Sequence, residues 1–223
     1  MTANVRALIA ESTAVLFDFD GPTCDVFSTI TAQHVAAVLK ALISDAGIPL
    51  PITVAQERDP LAVLQYSAKL GERMTRAVDD ALRAAEMDAV QYSTPTPGAH
   101  ESIRRCAESG RKVGFVSNNS ADAIERYLQA NDLARHTSVV VGRAYANPTL
   151  MKPNPVPVQR ALTALSLQPA DVLLIGDSTT DVEVCQATQV ACIGYVNKPG
   201  KEIALTGAHA LITDMAEIAT ALA

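Results

Sequence analysis

The stretch Ala14-Val15-Leu16-Phe17-Asp18-Phe19-Asp20-Gly21 decides the fold of this chain. Four apolar residues run, without alternating, into two carboxylates and a glycine. Such a run predicts a strand buried on both faces, and the polar residues after it a loop at the strand's carboxyl end. The same grammar recurs downstream. KVGFV (112–116) runs into SNN (117–119), SVVV (138–141) into Gly142, and DVLLI (171–175) into Gly176-Asp177. VACI (190–193) runs into Gly194, and ALI (210–212) into Thr213-Asp214.

Helical patterns separate these strands. Residues 121–130 carry Ile124 and Leu128 four apart, 154–166 carry Val158, Leu162 and Leu165 behind Pro155, and 181–187 follow the motif at Gly176. Strands alternating with helices predict an α/β fold, a Rossmann-like doubly wound parallel sheet covered on both faces. Residues 23–96 break the alternation. Val35, Val38, Leu39, Leu42 and Ile43 form an apolar stripe at helical spacing, with Gly47 as its stop. Asp59-Pro60 reads as a helix N-cap and first position, and Met74, Ala77, Val78, Ala81, Leu82 and Ala85 make another stripe. Thr94–Gly98, rich in proline, is the return hinge. The expected division is a core of 1–22 and 97–223 with a helical lobe, 23–96, inserted over the carboxyl ends of the strands, where open α/β sheets bind ligands.

Composition sets limits on partners. The chain has 223 residues, 48% hydrophobic and 19% charged, with a net charge of −6 and no basic stripe. That argues against nucleic acid, whose phosphates need clustered Lys and Arg. The absence of Trp, with five Tyr and four Phe, gives no stacking platform for a nucleobase. No apolar run approaches the ~20 residues that span a bilayer, so no membrane partner is expected. Cys24, Cys106, Cys185 and Cys192 form no CxxC pair, and no signal peptide is visible; reduced thiols and a cytoplasmic location are the expectation. Nothing in the sequence sets the oligomeric state.

Four polar clusters follow four of the strands, so they project into one crevice. Asp18 and Asp20, just past a buried strand, are costly together unless a cation or protons hold them, and a hard divalent ion with oxygen ligands does so most simply. Ser117-Asn118-Asn119 leads into a helix start and suits an anion. Lys152 is a lone cation in a loop, and Asp177 and Asp181 stand four apart on a first helical turn. Singly, each has an ordinary explanation as a cap or a solvated charge. Together they are the inventory of metal-assisted phosphoryl transfer: nucleophile, acid/base, metal ligands and neutralising donors.

As a set, DFDG (18–21), SNN (117–119), Lys152-Pro153 and GDSTTD (176–181) resemble the four motifs of the haloacid dehalogenase (HAD) superfamily in order and spacing. The branch resembled carries a helical C1-type cap after the first motif, and the tail 194–212 is similar to phosphoglycolate-phosphatase-like members. The resemblance implies a Mg²⁺-dependent phosphatase acting on a small phosphate monoester. It makes Asp18 the nucleophile that becomes a phospho-aspartate and Asp20 the acid/base, also ligating the metal through its carbonyl. Asp18, Asp20, Asp177 and Asp181 are the implied metal set, with Asp181 as ligand or supporting residue. Ser117, the Asn118 backbone and Lys152 would receive the phosphoryl group.

Pro22 stands where the family usually has Thr or Val, and reads as a stiffened turn. Asp25 reads as a helix cap, and Arg58, in Glu57-Arg58-Asp59, as the candidate for a second anionic group on the substrate. Asp20 and the lack of a suitably placed cap lysine speak against dehalogenase and phosphonate chemistry. A phosphomutase of sugar phosphates and a non-catalytic HAD-like binding module are the alternatives.

Overall fold

The computed structural model describes residues 3–222. Helix α1 (Ala3–Glu11) leads into strand β1 (Ala14–Phe17), whose four residues are all buried. The inserted segment comprises β2 (Cys24–Asp25), α2 (Ala32–Asp45), α3 (Ile52–Ala55), α4 (Pro60–Ser67), α5 (Glu72–Ala89) and β3 (Thr94–Pro95). After it come α6 (Ala99–Glu108), β4 (Lys112–Val116), α7 (Ala121–Ala130), β5 (Val139–Val141), α8 (Val156–Leu165) and β6 (Val172–Gly176). The chain ends with α9 (Thr179–Thr188), β7 (Ala191–Tyr195), β8 (Ala210–Ile212) and α10 (Ala216–Ala221).

The main sheet has six strands in the order β5-β4-β1-β6-β7-β8, all parallel. Alternate residues of β1 serve opposite faces, as the two-residue period of a strand requires. Val15 and Phe17 pack with Ile9 of α1, Ile103 of α6, Ile124 of α7 and Ile218 of α10. Ala14 and Leu16 pack with Val158 of α8 and Val182 and Cys185 of α9. β1 is therefore buried on both sides, as its sequence demands, and the order reverses around it. The carboxyl ends of β1, β4 and β6 converge at the switch point where such sheets bind ligands.

The structure departs from the sequence pattern in places. β5 lies at the sheet edge and is only half-buried, although its three valines read as a core strand. Helices α1, α6 and α10 were not signalled. α6 nevertheless buries a periodic face, Ala99, Ser102, Ile103 and Cys106, and α1 buries Val5 and Ile9 four apart; both faces are short, and that of α6 is built largely of small residues. In α2, Val35, Leu39 and Ile43 are buried as expected, but Val38 is 49% exposed.

The lobe has its own core, in which Leu39 and Ile43 meet Val63 and Leu64 of α4 and Val78 and Leu82 of α5. Its two ends are joined: β2 pairs antiparallel with β3, Cys24 opposite Pro95 and Asp25 opposite Thr94. Val26, Ala89 and Val90, inside the inserted segment, are nevertheless buried with the sheet's residues. Asp59 caps α4 as expected, its Oδ1 accepting the Leu61 N–H at 2.8 Å. Asp25 caps nothing; the N-cap of α2 is Thr31, whose hydroxyl accepts from the His34 N–H. Among the described residues no helix is long and apolar enough to cross a membrane.

Leu16 is fully buried at the centre of the sheet. Leu16→Ala is expected to lower the unfolding free energy by ~2–5 kcal/mol, the range for emptying a core site. Urea denaturation measures it directly, and far-ultraviolet circular dichroism should remain that of the parent.

Candidate active site

Lys152 is the centre of the crevice. Its ammonium, 1% exposed, lies 2.9 Å from Asp18 Oδ1 and 2.6 Å from Asp181 Oδ1, and donates to the Val116 carbonyl at 3.0 Å. Burial alone would favour its neutral form, but the two carboxylates more than offset that and hold its pKa above the usual lysine value. Its backbone is clamped as well. Lys152 N–H donates to Asn118 Oδ1 at 2.8 Å, and Asn118 Nδ2 donates back to the Lys152 carbonyl at 3.2 Å. The Asn118 side chain thus serves the lysine loop, leaving only its backbone for an anion.

Asp18 follows β1 directly, its N–H donating to Ile175 O in the neighbouring strand. Asp18 Oδ1 takes the Phe19 N–H at 2.7 Å and the lysine ammonium; among the described residues Oδ2 has no hydrogen-bond partner. Burial, Asp181 and Asp177 push its carboxyl up to about 7 against the pull of Lys152. Asp20 is half-buried, its Oδ1 accepting from Val26 N–H at 3.0 Å, and burial, against that hydrogen bond, raises it to about 6. The shift suits a group that must give up a proton and take one back near neutrality.

Asp177 and Asp181 differ in freedom. Asp181 is fully buried and forms a capping box with Ser178 at the start of α9. Its Oδ2 accepts from Ser178 Oγ at 2.5 Å and from the N–H groups of Asp177 and Ser178 at 3.2 and 3.1 Å. Asp177 Oδ2 accepts from Asn197 Nδ2 at 2.8 Å and from Lys201 Nζ, leaving Oδ1. Asn197 and Lys201 come from the loop after β7. The sequence pattern gave no reason to single them out, since their role depends on that loop folding back over β6.

The donor set fits a hard divalent cation. One oxygen from each of Asp18, Asp177 and Asp181 lies within 4.8 Å of the others, all three residues are buried, and oxygen ligands suit Mg²⁺. The Asp20 carboxylate lies outside this group. Asp181, saturated by Lys152 and its capping partners, is better placed to hold the lysine than to ligate an ion.

Ser117 is buried at the carboxyl end of β4, its hydroxyl paired with Asn119 Oδ1 at 3.1 Å, and it lines the crevice with Asn118 and Lys152. The crevice, about 730 Å³, has the volume of a small-molecule site. The lobe contributes Asp59, Pro60, Leu61 and Gln65, and the tail loop Asn197, Lys198 and Lys201. Arg58 is not among the lining residues. Glu57 Oε1 accepts the N–H groups of Arg58 and Asp59, turning the loop so that Asp59 faces the crevice and Arg58 is exposed. Asp25, read as a cap, instead lines the crevice.

The turn after Asp20 accommodates Pro22. Gly21 N–H donates to Cys24 O, and the N–H groups of Thr23 and Cys24 both reach Phe19 O, so the turn closes without a donor at 22. Gly21 itself is constrained twice: its φ is +104°, and a Cβ there would lie 2.5 Å from the Asp177 carboxylate. The first motif therefore touches the fourth through bare backbone.

A parallel sheet that gathers Asp18, Asp20, Asp177, Asp181 and Lys152 at its switch point has the layout of a phosphoryl-transfer enzyme. Residues 15–195 match the family model described as haloacid dehalogenase-like hydrolase, and the chain belongs to that family. It is 29% identical over 192 residues to N-acetylmuramic acid 6-phosphate phosphatase of Pseudomonas aeruginosa, covering 82% of this chain and 81% of the relative. It is 31% identical over 199 residues to phosphoglycolate phosphatase of Synechococcus elongatus, covering 81% of each chain. Among solved structures it is similar to CbbY from Rhodobacter sphaeroides in complex with phosphate, with a TM-score of 0.69 and 17% identity, covering 93% of this chain and 96% of that one. That likeness bears on the fold. By the names of its relatives within the family, the chain's class is that of a HAD-like phosphatase, a phosphoric monoester hydrolase.

Gly21→Ala should lower phosphate release at least about 100-fold, because displacing a site group by even an ångström has that effect. Gly110, at φ +86° with open space around it, is the control. Gly110→Ala should reduce stability by ~1 kcal/mol while leaving activity in place. Initial rates and thermal midpoints of both variants check the pair.

Proposed function

We propose that the chain hydrolyses a small phosphate monoester through a phospho-aspartate on Asp18, with Mg²⁺ held by Asp18, Asp177 and the Asp20 carbonyl. The carrying observation is the Lys152 ammonium 2.9 Å from Asp18 Oδ1, which opposes the effect of burial on that carboxyl and leaves its Oδ2 free to attack. Oδ2 forms the new bond to phosphorus as the ester P–O bond breaks, and Asp20 gives its proton to the leaving alkoxide. The Asp20 carboxylate then takes a proton from water, the hydroxide attacks phosphorus, and Asp18 is released with inorganic phosphate. Ser117, the Asn118 backbone and Lys152 bind the phosphoryl oxygens throughout. Such positioning and charge balance are most of what phosphoryl transfer asks of a protein. A bound Mg²⁺ supplies further positive charge to those oxygens.

The inserted lobe acts as a cap that excludes bulk water. The substrate's other end meets Asp59 and Gln65 from the cap and Lys198 from the core, a mixture suited to a hydroxylated or carboxylate-bearing ester. Phosphoglycolate and N-acetylmuramic acid 6-phosphate, from the relatives' names, are the first candidates. The four cysteines, all free and buried, fit a reducing, cytoplasmic setting.

Phosphate release from a panel containing both esters and pyrophosphate, with Mg²⁺ or with a chelator, tests this reading. Release should require Mg²⁺ and fall by about three orders of magnitude or more in Asp18→Asn, the scale of losing a nucleophile. Asn197→Ala should raise the Mg²⁺ concentration for half-activation about tenfold, as removal of a ligand's supporting hydrogen bond does. Undiminished release by Asp18→Asn would sink the phospho-aspartate. Isomerised sugar phosphate without release would instead make the chain a phosphomutase.

A further inference from the structure

Helix α5 carries a second face that its apolar stripe does not announce. Asp79 and Glu86, two turns apart, are both fully buried, and both meet Arg143, whose side chain is also fully buried. Arg143 Nε and Nη2 donate to Asp79 Oδ1 at 3.0 and 2.8 Å, and Nη1 to Glu86 Oε1 at 2.8 Å. Burial alone would lower the guanidinium's pKa, but the two carboxylates raise it above its ordinary value. None of them lines the crevice.

The cluster reaches the phosphoryl-binding loop from behind. Arg143 Nη1 also donates to the Asn118 carbonyl at 2.7 Å, and Arg143 N–H to the Asn119 carbonyl at 2.8 Å. Glu86 accepts from Asn119 Nδ2 at 3.2 Å and from Ser120 N–H at 3.0 Å. Asn119 in turn pairs with the Ser117 hydroxyl. Asp79 Oδ2 holds Ala146 N–H at 2.6 Å, fixing the start of the segment that later delivers Lys152. The approach is close enough that a Cβ on Gly142 would lie 2.3 Å from the Ala121 nitrogen.

We infer that Arg143, Glu86 and Asp79 are positioning residues for phosphoryl binding, through which a helix of the lobe sets the conformation of the Ser117–Asn119 loop. The inference rests on the phosphatase reading, because it takes that loop as the phosphoryl site. Bonds to both loop carbonyls and to the N–H beyond them leave the loop one way to lie. Phosphoryl affinity and the seating of α5 are then one linked equilibrium, and each must respond to the other.

Two variants separate positioning from plain support. Glu86→Gln keeps the shape and one acceptor while removing the charge. The joint exchange Arg143→Met, Glu86→Leu, Asp79→Leu removes all three charges together, a change buried ion clusters tolerate better than the loss of one partner. Titration calorimetry with inorganic phosphate in Mg²⁺, at a temperature well below each thermal midpoint, reads the effect.

Phosphate binding and KM for the best ester should weaken at least tenfold in either folded variant, with Mg²⁺ affinity unchanged. A folded variant that binds phosphate within twofold of the parent overturns the inference. Wild-type protein supplies a reading whatever the variants do: saturating phosphate should slow amide exchange in α5 around Asp79 and Glu86, and unchanged exchange there overturns the coupling. Wild type that neither binds inorganic phosphate nor releases it from any ester defeats the phosphatase reading itself. Wild type that does both, beside unaffected variants, defeats only the role of the cluster.

Discussion

The ion bridge from Lys152 to Asp18 and Asp181 is the constraint on which the rest of the site depends. A crevice that gathers Asp18, Asp177 and Asp181 in buried positions is electrostatically unfavourable by itself, and burial raises the Asp18 carboxyl accordingly. One buried ammonium, fixed at its head by two carboxylates and a carbonyl and at its backbone by Asn118, relieves much of that repulsion. It also sorts the acids into roles. Asp181 is consumed by the lysine and its own capping box, whereas Asp18 and Asp177 each retain an oxygen that no described residue engages. Two carboxylates four residues apart, Asp177 ahead of the N-cap of α9 and Asp181 within its first turn, thus end with different duties because their surroundings differ.

Everything else in the fold brings these groups to one point. β1, β4 and β6 are adjacent and parallel, so the loops after them emerge side by side, and Asp18, Ser117 and Asp177 need only short reaches to meet. Glycine at position 21 lets the first loop lie against Asp177 without an intervening side chain. Beneath that loop, Phe19 packs edge-on against Tyr127, whose hydroxyl lies 2.7 Å from His100 Nε2. The loop that carries Asp18 is therefore seated on an aromatic pair.

What the sequence disclosed and what it hid follow one physical division. Buried parallel strands need continuous apolar residues, and polar groups after them need partners, so β1, β4 and β6 with Asp18, Asp20, Ser117, Lys152, Asp177 and Asp181 were all legible locally. Helices α2 and α5 were legible too, because each carries an apolar stripe. Arg58 misled because a charge in a loop says nothing about which way the loop turns; Glu57 decided that by capping two backbone donors. Asn197 and Lys201 were silent because they act from a loop 20 and 24 residues beyond Asp177. The acids of α5 left a trace, two carboxylates seven positions apart on one helical face, but reading it required knowing that Arg143, 57 residues past Glu86, lies opposite.

The lobe enters and leaves through β2 and β3, which lie side by side as a hydrogen-bonded pair. An insertion whose two ends already touch has the form of an interchangeable module: another helical lobe could be spliced between the same two short strands without stretching the sheet. The ionic contact from α5 qualifies that freedom. A donor lobe would leave Arg143 charged and stranded in the interior unless it brought carboxylates to the same two heights on its last helix. Exchange of specificity between relatives of this architecture is therefore governed by compatibility at a buried seam as much as by the residues facing the substrate.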